Sequence, residues 1–189
     1  MNYCSQCGAA VTVYVPAGDH VPRHVCTACG MIHYRNPKMV VGCLPEWQGR
    51  LLLCRRAIEP RRGYWTLPAG FMENGETAQD GAARETLEEA QARVAIGALH
   101  SLFNLPRIDQ VYLLFHARLL DEHYGPGSES LAVALFDEAT LPWDELAFPV
   151  IDAALRLYFA DRRAGRIGLR CGDIVPDETR GYRVRLYPD

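Results

Sequence analysis

Short apolar runs and longer amphipathic stretches alternate along the chain, and their distribution divides it into three parts. Residues 1–37 are rich in Cys, Gly, Pro and His, with only short β-like pieces such as Val11-Thr12-Val13-Tyr14-Val15. Such a segment cannot build a hydrophobic core unaided. Asn36-Pro37 reads as a turn, after which the texture changes. Met39–Leu44 and Leu51–Cys54 predict paired strands, joined by the polar link around Trp47-Gln48-Gly49-Arg50. A Pro/Arg/Gly-rich loop runs from Ile58 to Gly63, and Thr77 to Ala90 gives the clearest helix. Strands are expected at Val94–Phe103, Val111–Leu120 and Leu131–Phe136. Ala147 to Arg163 predicts a second amphipathic helix, with Val150, Ala153, Ala154, Leu157 and Phe159 among its apolar positions. Residues 164–189 are basic and without period, and the pattern does not place them. Strands, helix, strands, helix imply an α/β (α+β) domain, one sheet with helices packed on it.

Composition narrows the function classes. The 189 residues carry 20 Lys and Arg against 23 Asp and Glu, a net charge of −3, which gives no reason to expect a general nucleic-acid or membrane-surface binder. No apolar run approaches the ~18–20 residues that span a bilayer. The start, Met1 to Cys7, lacks the basic and apolar stretches of a signal peptide, so a cytoplasmic location is the expectation. The seven cysteines are then read first as metal ligands or core thiols.

The informative segment runs from Gly70 through Glu76 to Arg84-Glu85-Thr86-Leu87-Glu88-Glu89. Asn74-Gly75 is a turn signal, and Thr77 with Asp80 three residues on is a capping-box pattern that starts a helix near Ala78. At ~100° per residue Glu85, Glu88 and Glu89 share one face. Ala83, Leu87, Ala90 and Val94 fall opposite, where they can pack on a sheet. Adjacent carboxylates weaken a helix by a few tenths of a kcal/mol per pair. A divalent cation reverses that sign, and Mg²⁺ commonly binds through a few carboxylates together with substrate phosphates. A solvated acidic face is the plain alternative.

The whole arrangement resembles the signature of the Nudix hydrolase family: Gly, five residues, Glu, seven residues, Arg-Glu, an apolar residue, any residue, Glu-Glu, any residue, Gly, an apolar residue. Gly70, Glu76, Arg84, Glu85, Glu88 and Glu89 match it position by position, and Gly63 to Gly70 is similar to the family's lead-in. Thr86 stands where an aliphatic residue is usual, and Gln91 where glycine normally ends the helix in a left-handed conformation. The resemblance covers roughly residues 38–160 and implies an α/β/α sandwich with a mixed sheet, a Nudix domain over 38–163, and a tail over 164–189 of unknown role. It implies that Glu85, Glu88 and Glu89 bind Mg²⁺ or Mn²⁺, that Glu76 and Arg84 brace the loop-helix by an ion pair, and that the carbonyl of Gly70 or Ala69 completes a metal shell. Glu89 is one candidate general base. Glu129, in Gly127-Ser128-Glu129-Ser130, is the other, with an exposed loop carboxylate as its alternative reading.

Cys4-x-x-Cys7 and Cys26-x-x-Cys29 lie eighteen residues apart, and Gly8 and Gly30 follow the two pairs. Two such turns brought together by a hairpin make a tetrahedral S₄ site suited to structural Zn²⁺, which would organise residues 1–37 as a zinc ribbon. Two disulfides or a redox pair are the alternatives. Cys43 and Cys54 read as buried strand thiols, and Cys171 is left open. His24 and His33 flank the ribbon. A zinc ribbon before a Nudix domain resembles the branch that includes NADH pyrophosphatases and enzymes acting on ADP-ribose or FAD. The Ser-Gln-Pro-Trp-Pro-Phe-Pro run of the NADH-preferring members is absent: the equivalent region reads Leu102 to Ile108, with Pro106 near the place of a proline seen in ADP-ribose hydrolases. ADP-ribose or FAD is therefore expected ahead of NADH.

Arg55, Arg56, Arg61 and Arg62 bracket the loop before the signature; one or two of them are candidate diphosphate clamps, Arg55 and Arg62 first, with a solvated basic loop as the alternative. Phe71, Tyr112 and Phe103 are candidates to stack on adenine, Phe71 first. The resemblance also implies a homodimer. Two rival readings remain: a non-catalytic nucleic-acid-binding module, and a ribbon that serves dimerisation or stability alone.

Overall fold

A computed structural model describes residues 1–166, 168–178 and 181–188, and divides into two compact units, Met1–Pro37 and Lys38–Asp189. In the first, β1 (Val11–Tyr14), β2 (Arg23–Cys26) and β3 (Ile32–His33) form an antiparallel sheet. Two turns of the same shape flank it. Gly8 and Gly30 each take φ +73°, and each amide bonds back to the carbonyl of the cysteine four residues earlier, Cys4 and Cys26. Only glycine adopts that left-handed backbone freely.

In the second unit, β4 (Lys38–Trp47) and β5 (Arg50–Arg56) are joined by Gln48 and Gly49, both at positive φ, as a two-residue hairpin turn demands. Two short strands follow, β6 (Trp65–Thr66) and β7 (Ala69–Phe71), before α1 (Ala78–Ala90). Next come β8 (Val94–Leu105), β9 (Gln110–Leu119), β10 (Ser130–Phe136) and α2 (Pro149–Arg163). Residues beyond Arg163, which the sequence pattern left unplaced, supply β11 (Arg170–Asp177) and β12 (Gly181–Leu186). The sheet runs β10-β5-β4-β9-β8-β11-β12, with β6 on β5 and β7 on β4; β4 lies parallel to β9 and β8 parallel to β11.

The sheet is covered on both faces, which is why its strands read as near-continuous apolar runs. Val41 and Cys43 of β4 and Leu52 and Cys54 of β5 face the α1 side, with Ala82 and Ala90. Their neighbours Leu44, Leu51 and Leu53 pack with Val150, Ile151, Ala154, Leu155 and Phe159 of α2. The architecture is the α/β/α sandwich with a mixed sheet expected from the sequence. Four of the apolar α2 positions named from periodicity are buried; Leu157 is half-buried.

The face of α1 differs from the expectation. Gly81, Ala82, Glu85, Thr86, Glu89 and Ala90 are buried, while Leu87 is 51% exposed. Small side chains, not large apolar ones, select the buried stripe. A Cβ on Gly81 would come within 2.9 Å of Val41, so glycine there lets the helix lie close on β4. Two of the three glutamates are thereby carried to the sheet side.

Candidate active site

The site is assembled where β7 meets α1. Gly42 of β4 admits β7, because a Cβ at that position would overlap Ala69 and the Pro68 carbonyl. Val41 pairs with Gly70 and Val40 with Phe71. The chain then turns through Gly75, at φ +90°, into α1. Thr77 caps the helix, its hydroxyl oxygen accepting from the Asp80 amide at 3.1 Å. At the other end Gln91 occupies the left-handed position, φ 49°, where the family signature has glycine, and its amide bonds to the Leu87 carbonyl. The substitution therefore keeps the usual helix stop at the strain of a non-glycine residue.

Arg84 is the hub of the carboxylates. Its Nε and Nη2 donate to Glu76 at 3.0 and 2.9 Å, Nη1 donates to Glu85 at 2.8 Å and Glu88 at 3.0 Å, and Nη2 also reaches the Phe71 carbonyl. Hydrogen bonding to Arg84 holds the Glu76 carboxyl down at about 2. Glu85 sits against Gly70, where any Cβ would overlap its carboxylate. Burial raises the Glu85 pKa. Glu89 lies deeper, its Oε2 accepting from the Ala69 amide at 3.1 Å. Burial pushes it up to about 8 against that hydrogen bond, with the charges of Glu85 and Glu129 adding to the rise.

Glu129 is exposed, yet its field reaches both buried carboxylates, because its loop is fastened to the end of α1. The amides of Gly125 and Gly127 donate to the carbonyls of Ala90 and Glu89 at 2.8 and 3.0 Å, and the Gln91 side chain donates to Pro126. These bonds take up carbonyls that a helix C-terminus otherwise leaves unpaired.

The arginines around the loop fall in different places. Arg55 is exposed and its Nε donates to the Gly63 carbonyl at 2.7 Å; Arg62 is exposed on the loop. Arg56 is the one whose charge acts on Glu89 and on Tyr112, its guanidinium 5.1 Å above Phe148 and its Nε on the Pro60 carbonyl. One position along a strand changes the face. Among the aromatic candidates Phe103 is fully buried in the core and cannot stack on a ligand. Tyr112 is half-buried, and Phe71 is 50% exposed beside Gly70 with the Lys38 ammonium 4.7 Å from its ring. Lys38 had no distinguishing mark in the sequence, and nothing there set Arg56 apart from the other arginines of the loop.

In the N-terminal unit Cys4, Cys7, Cys26 and Cys29 bring their sulfurs within 4.8 Å of one another, and among the described residues no other group of three or more His, Cys, Asp and Glu does so. Cys4–Cys29, Cys7–Cys26 and Cys7–Cys29 separations are 3.8, 3.4 and 3.5 Å, close to the ~3.8 Å edge of a ZnS₄ tetrahedron. Amide N–H groups of Cys29 and Ala28 lower the Cys26 thiol to about 6, and the Gln6 amide points at Cys4. His33 Nε2 lies 3.3 Å from the Cys4 sulfur. Cys43 and Cys54 are buried thiols, and Cys171 on β11 is half-buried.

Residues 36–158 match the NUDIX domain, and residues 2–35 match the Nudix N-terminal zinc-ribbon family. The chain belongs to the Nudix hydrolase family. It is similar to a NUDIX hydrolase from Nitrosomonas europaea of solved structure, 55% identical, over 92% of this chain and 99% of that one, with a TM-score of 0.90. It is 29% identical to the ADP-ribose pyrophosphatase of Methanocaldococcus jannaschii over 61% of this chain and 69% of that protein. Against the NAD-capped RNA hydrolase NudC of Stutzerimonas stutzeri it is 28% identical over 87% of this chain, and spans 58% of that protein's length. Among the described residues of this Nudix hydrolase no helix is long and apolar enough to cross a membrane.

Proposed function

We propose that this Nudix hydrolase cleaves the diphosphate bridge of a nucleoside diphosphate linked to a second group, ADP-ribose or FAD first, releasing AMP. The observation that carries the reading is the pair of buried carboxylates, Glu85 against Gly70 and Glu89 on the Ala69 amide, with the charge of Glu129 acting on both. Buried carboxylates with too little compensating charge are unfavourable alone. The donor set, carboxylate oxygens beside the backbone of Ala69 and Gly70, suits a hard divalent cation such as Mg²⁺ or Mn²⁺. When bound, that ion polarises a phosphoryl oxygen and makes a bound water more acidic.

The chain's own residues supply the rest. Arg84 keeps Glu76, Glu85 and Glu88 in register, as a brace and not as a reactant. Arg56 faces Glu89 and offers a guanidinium to the diphosphate, stabilising the charge that spreads over the equatorial oxygens. Phe71, exposed under Lys38, offers a ring face for the base. Glu89 or Glu129 takes the proton as the water oxygen bonds to one phosphorus and the bridging P–O bond breaks, the electron pair leaving on the second phosphate. The products are AMP and a phosphate ester, ribose 5-phosphate or FMN. The similarity to the archaeal ADP-ribose pyrophosphatase supports this substrate class; the similarity to NudC makes NADH or an NAD-capped RNA the second reading. The four-cysteine cluster is proposed to hold structural zinc, since all its positions are filled by protein.

The test is an AMP-release panel over ADP-ribose, FAD, NADH and NAD⁺ with Mg²⁺ or Mn²⁺. One substrate turned over and lost by at least ~100-fold in Glu89→Gln is expected. No AMP from any of the four with folded protein would overturn the proposal.

A further inference from the structure

We infer that Gln91 is a positioning residue: its side chain pins residues 125–129 to the end of α1, so that Glu129 takes the proton from the attacking water. The inference rests on the proposed hydrolysis and chooses between the two proton acceptors named there. Gln91 stands where the family signature has glycine. A glutamine at φ 49° is strained, and glycine would make the same helix stop without that strain. What the glutamine adds is its side chain, whose Nε2 donates to the Pro126 carbonyl at 2.9 Å.

Three consecutive loop residues are thereby bonded to the end of the helix. Gly125 and Gly127 use their own amides, on the carbonyls of Ala90 and Glu89. Pro126 between them has no N–H to give, so the donor for this residue comes from Gln91. Two residues on, Glu129 is exposed, and its carboxylate makes no hydrogen bond or ion pair among the described residues. Its place is set by its backbone, and hence by how the loop is fastened. The other carboxylates are engaged: Glu76, Glu85 and Glu88 accept from Arg84, and Glu89 accepts from the Ala69 amide. Glu129 is thus free to accept a proton, yet close enough for its charge to act on both Glu85 and Glu89. The proton passes from the water oxygen to a Glu129 carboxylate oxygen as that water bonds to phosphorus.

The test is steady-state AMP release by the full chain, from whichever of ADP-ribose, FAD, NADH and NAD⁺ it turns over fastest. Glu129→Gln should lower kcat by about 100-fold. Gln91→Gly and Gln91→Met, which remove the donor, should each lower kcat by roughly 5–10-fold with KM within about twofold. Gln91→Lys keeps a donor of similar reach and should stay within about twofold of the parent. Gln91→Gly should melt within about 2 °C of the parent, because relief of the backbone offsets the lost bond. Its loss of rate is then not a loss of fold. Adding Gln91→Gly to Glu129→Gln should cost no more than about twofold further, since the glutamine acts through that carboxylate. Parental kcat in Gln91→Gly or in Glu129→Gln, or losses that multiply in the double variant, would each overturn the inference and leave AMP release standing. A parent that releases no AMP counts against the proposed hydrolysis. Hydrogen exchange at the Gly125 and Gly127 amides then judges the clamp, and equal exchange in Gln91→Gly and the parent overturns it.

Discussion

Replacing Gly127 by alanine tests how the Glu129 loop is held. Gly127 has no left-handed backbone to defend; what forbids a side chain is the helix it lies against. A Cβ there would overlap the Glu88 carbonyl oxygen and come within 3.2 Å of the Glu89 Cα, and both atoms belong to the backbone of α1. Neither can rotate away, so the loop must lift. Lifting it breaks the bond from the Gly127 amide to the Glu89 carbonyl, worth about 1 kcal/mol, and overpacking of this kind costs about 1–3 kcal/mol more. For a protein of this size a loss of about 2–4 kcal/mol lowers Tm by roughly 5–15 °C. Gly125, two residues earlier, is the internal control, because a Cβ on it would meet only the Gln91 side chain at 3.8 Å. Gly125→Ala should melt within about 2 °C of the parent. Thermal unfolding followed by circular dichroism at 222 nm, with urea titrations for the free energy, separates the pair. Equal melting of Gly127→Ala and the parent would refute the account of how this loop is fastened.

The remaining predictions concern charge and metal. Burial depresses the pKa of His100 from 6.5 to about 4, and its ring nitrogens have no hydrogen-bond partner. The neutral ring is therefore favoured by folding: stability should be full above pH 6.5, fall by on the order of 2 kcal/mol between pH 7 and pH 5, and level off below about 4. Urea midpoints across that range check it, with His100→Phe expected to flatten the profile and an unchanged slope counting against it. Arg56→Ala should lower kcat/KM by about 100-fold with Arg55→Ala near the parent, in steady-state AMP release; the reverse order would restore Arg55 as the clamp. Stripping the metal from the four cysteines should abolish amide-exchange protection in residues 1–37 and leave residues 38–163 protected, in hydrogen-exchange mass spectrometry. Retained protection in the first segment would show that the ribbon folds without metal.

Much of the fold was legible because it rests on period and caps. Thr77 and Asp80 marked the start of α1, and continuous apolar runs marked β4, β5, β8, β9 and β10. The hidden parts have physical reasons. β6 and β7 are too short for a period and are separated by Leu67-Pro68. In β12 the alternation sets Tyr182 and Val184 against Arg183 and Arg185, a half-buried edge pattern that resembles a solvated tail. The glutamates were visible as a group, but their burial was not. It follows from the smallness of Gly81, Ala82 and Thr86, which carry no hydrophobic signal large enough to outvote Leu87. That the charge of Arg56 acts on Glu89 turned on strand parity, which a loop rich in arginines conceals.

The terminal hairpin changes which backbone the sheet offers to the outside. Without β11, the far side of β8 would present the unpaired amides and carbonyls of Ser101 to Asn104, in a strand whose Leu102 and Phe103 are apolar. An open row of that kind invites another molecule's strand. With the hairpin in place, β12 becomes the outermost strand on that side among the described residues, and it carries Arg183 and Arg185. Charged side chains there repel a second edge of the same kind. Residues 170–177 and 181–186 thus act as a margin: they replace an apolar border of the sheet by one that carries charged side chains.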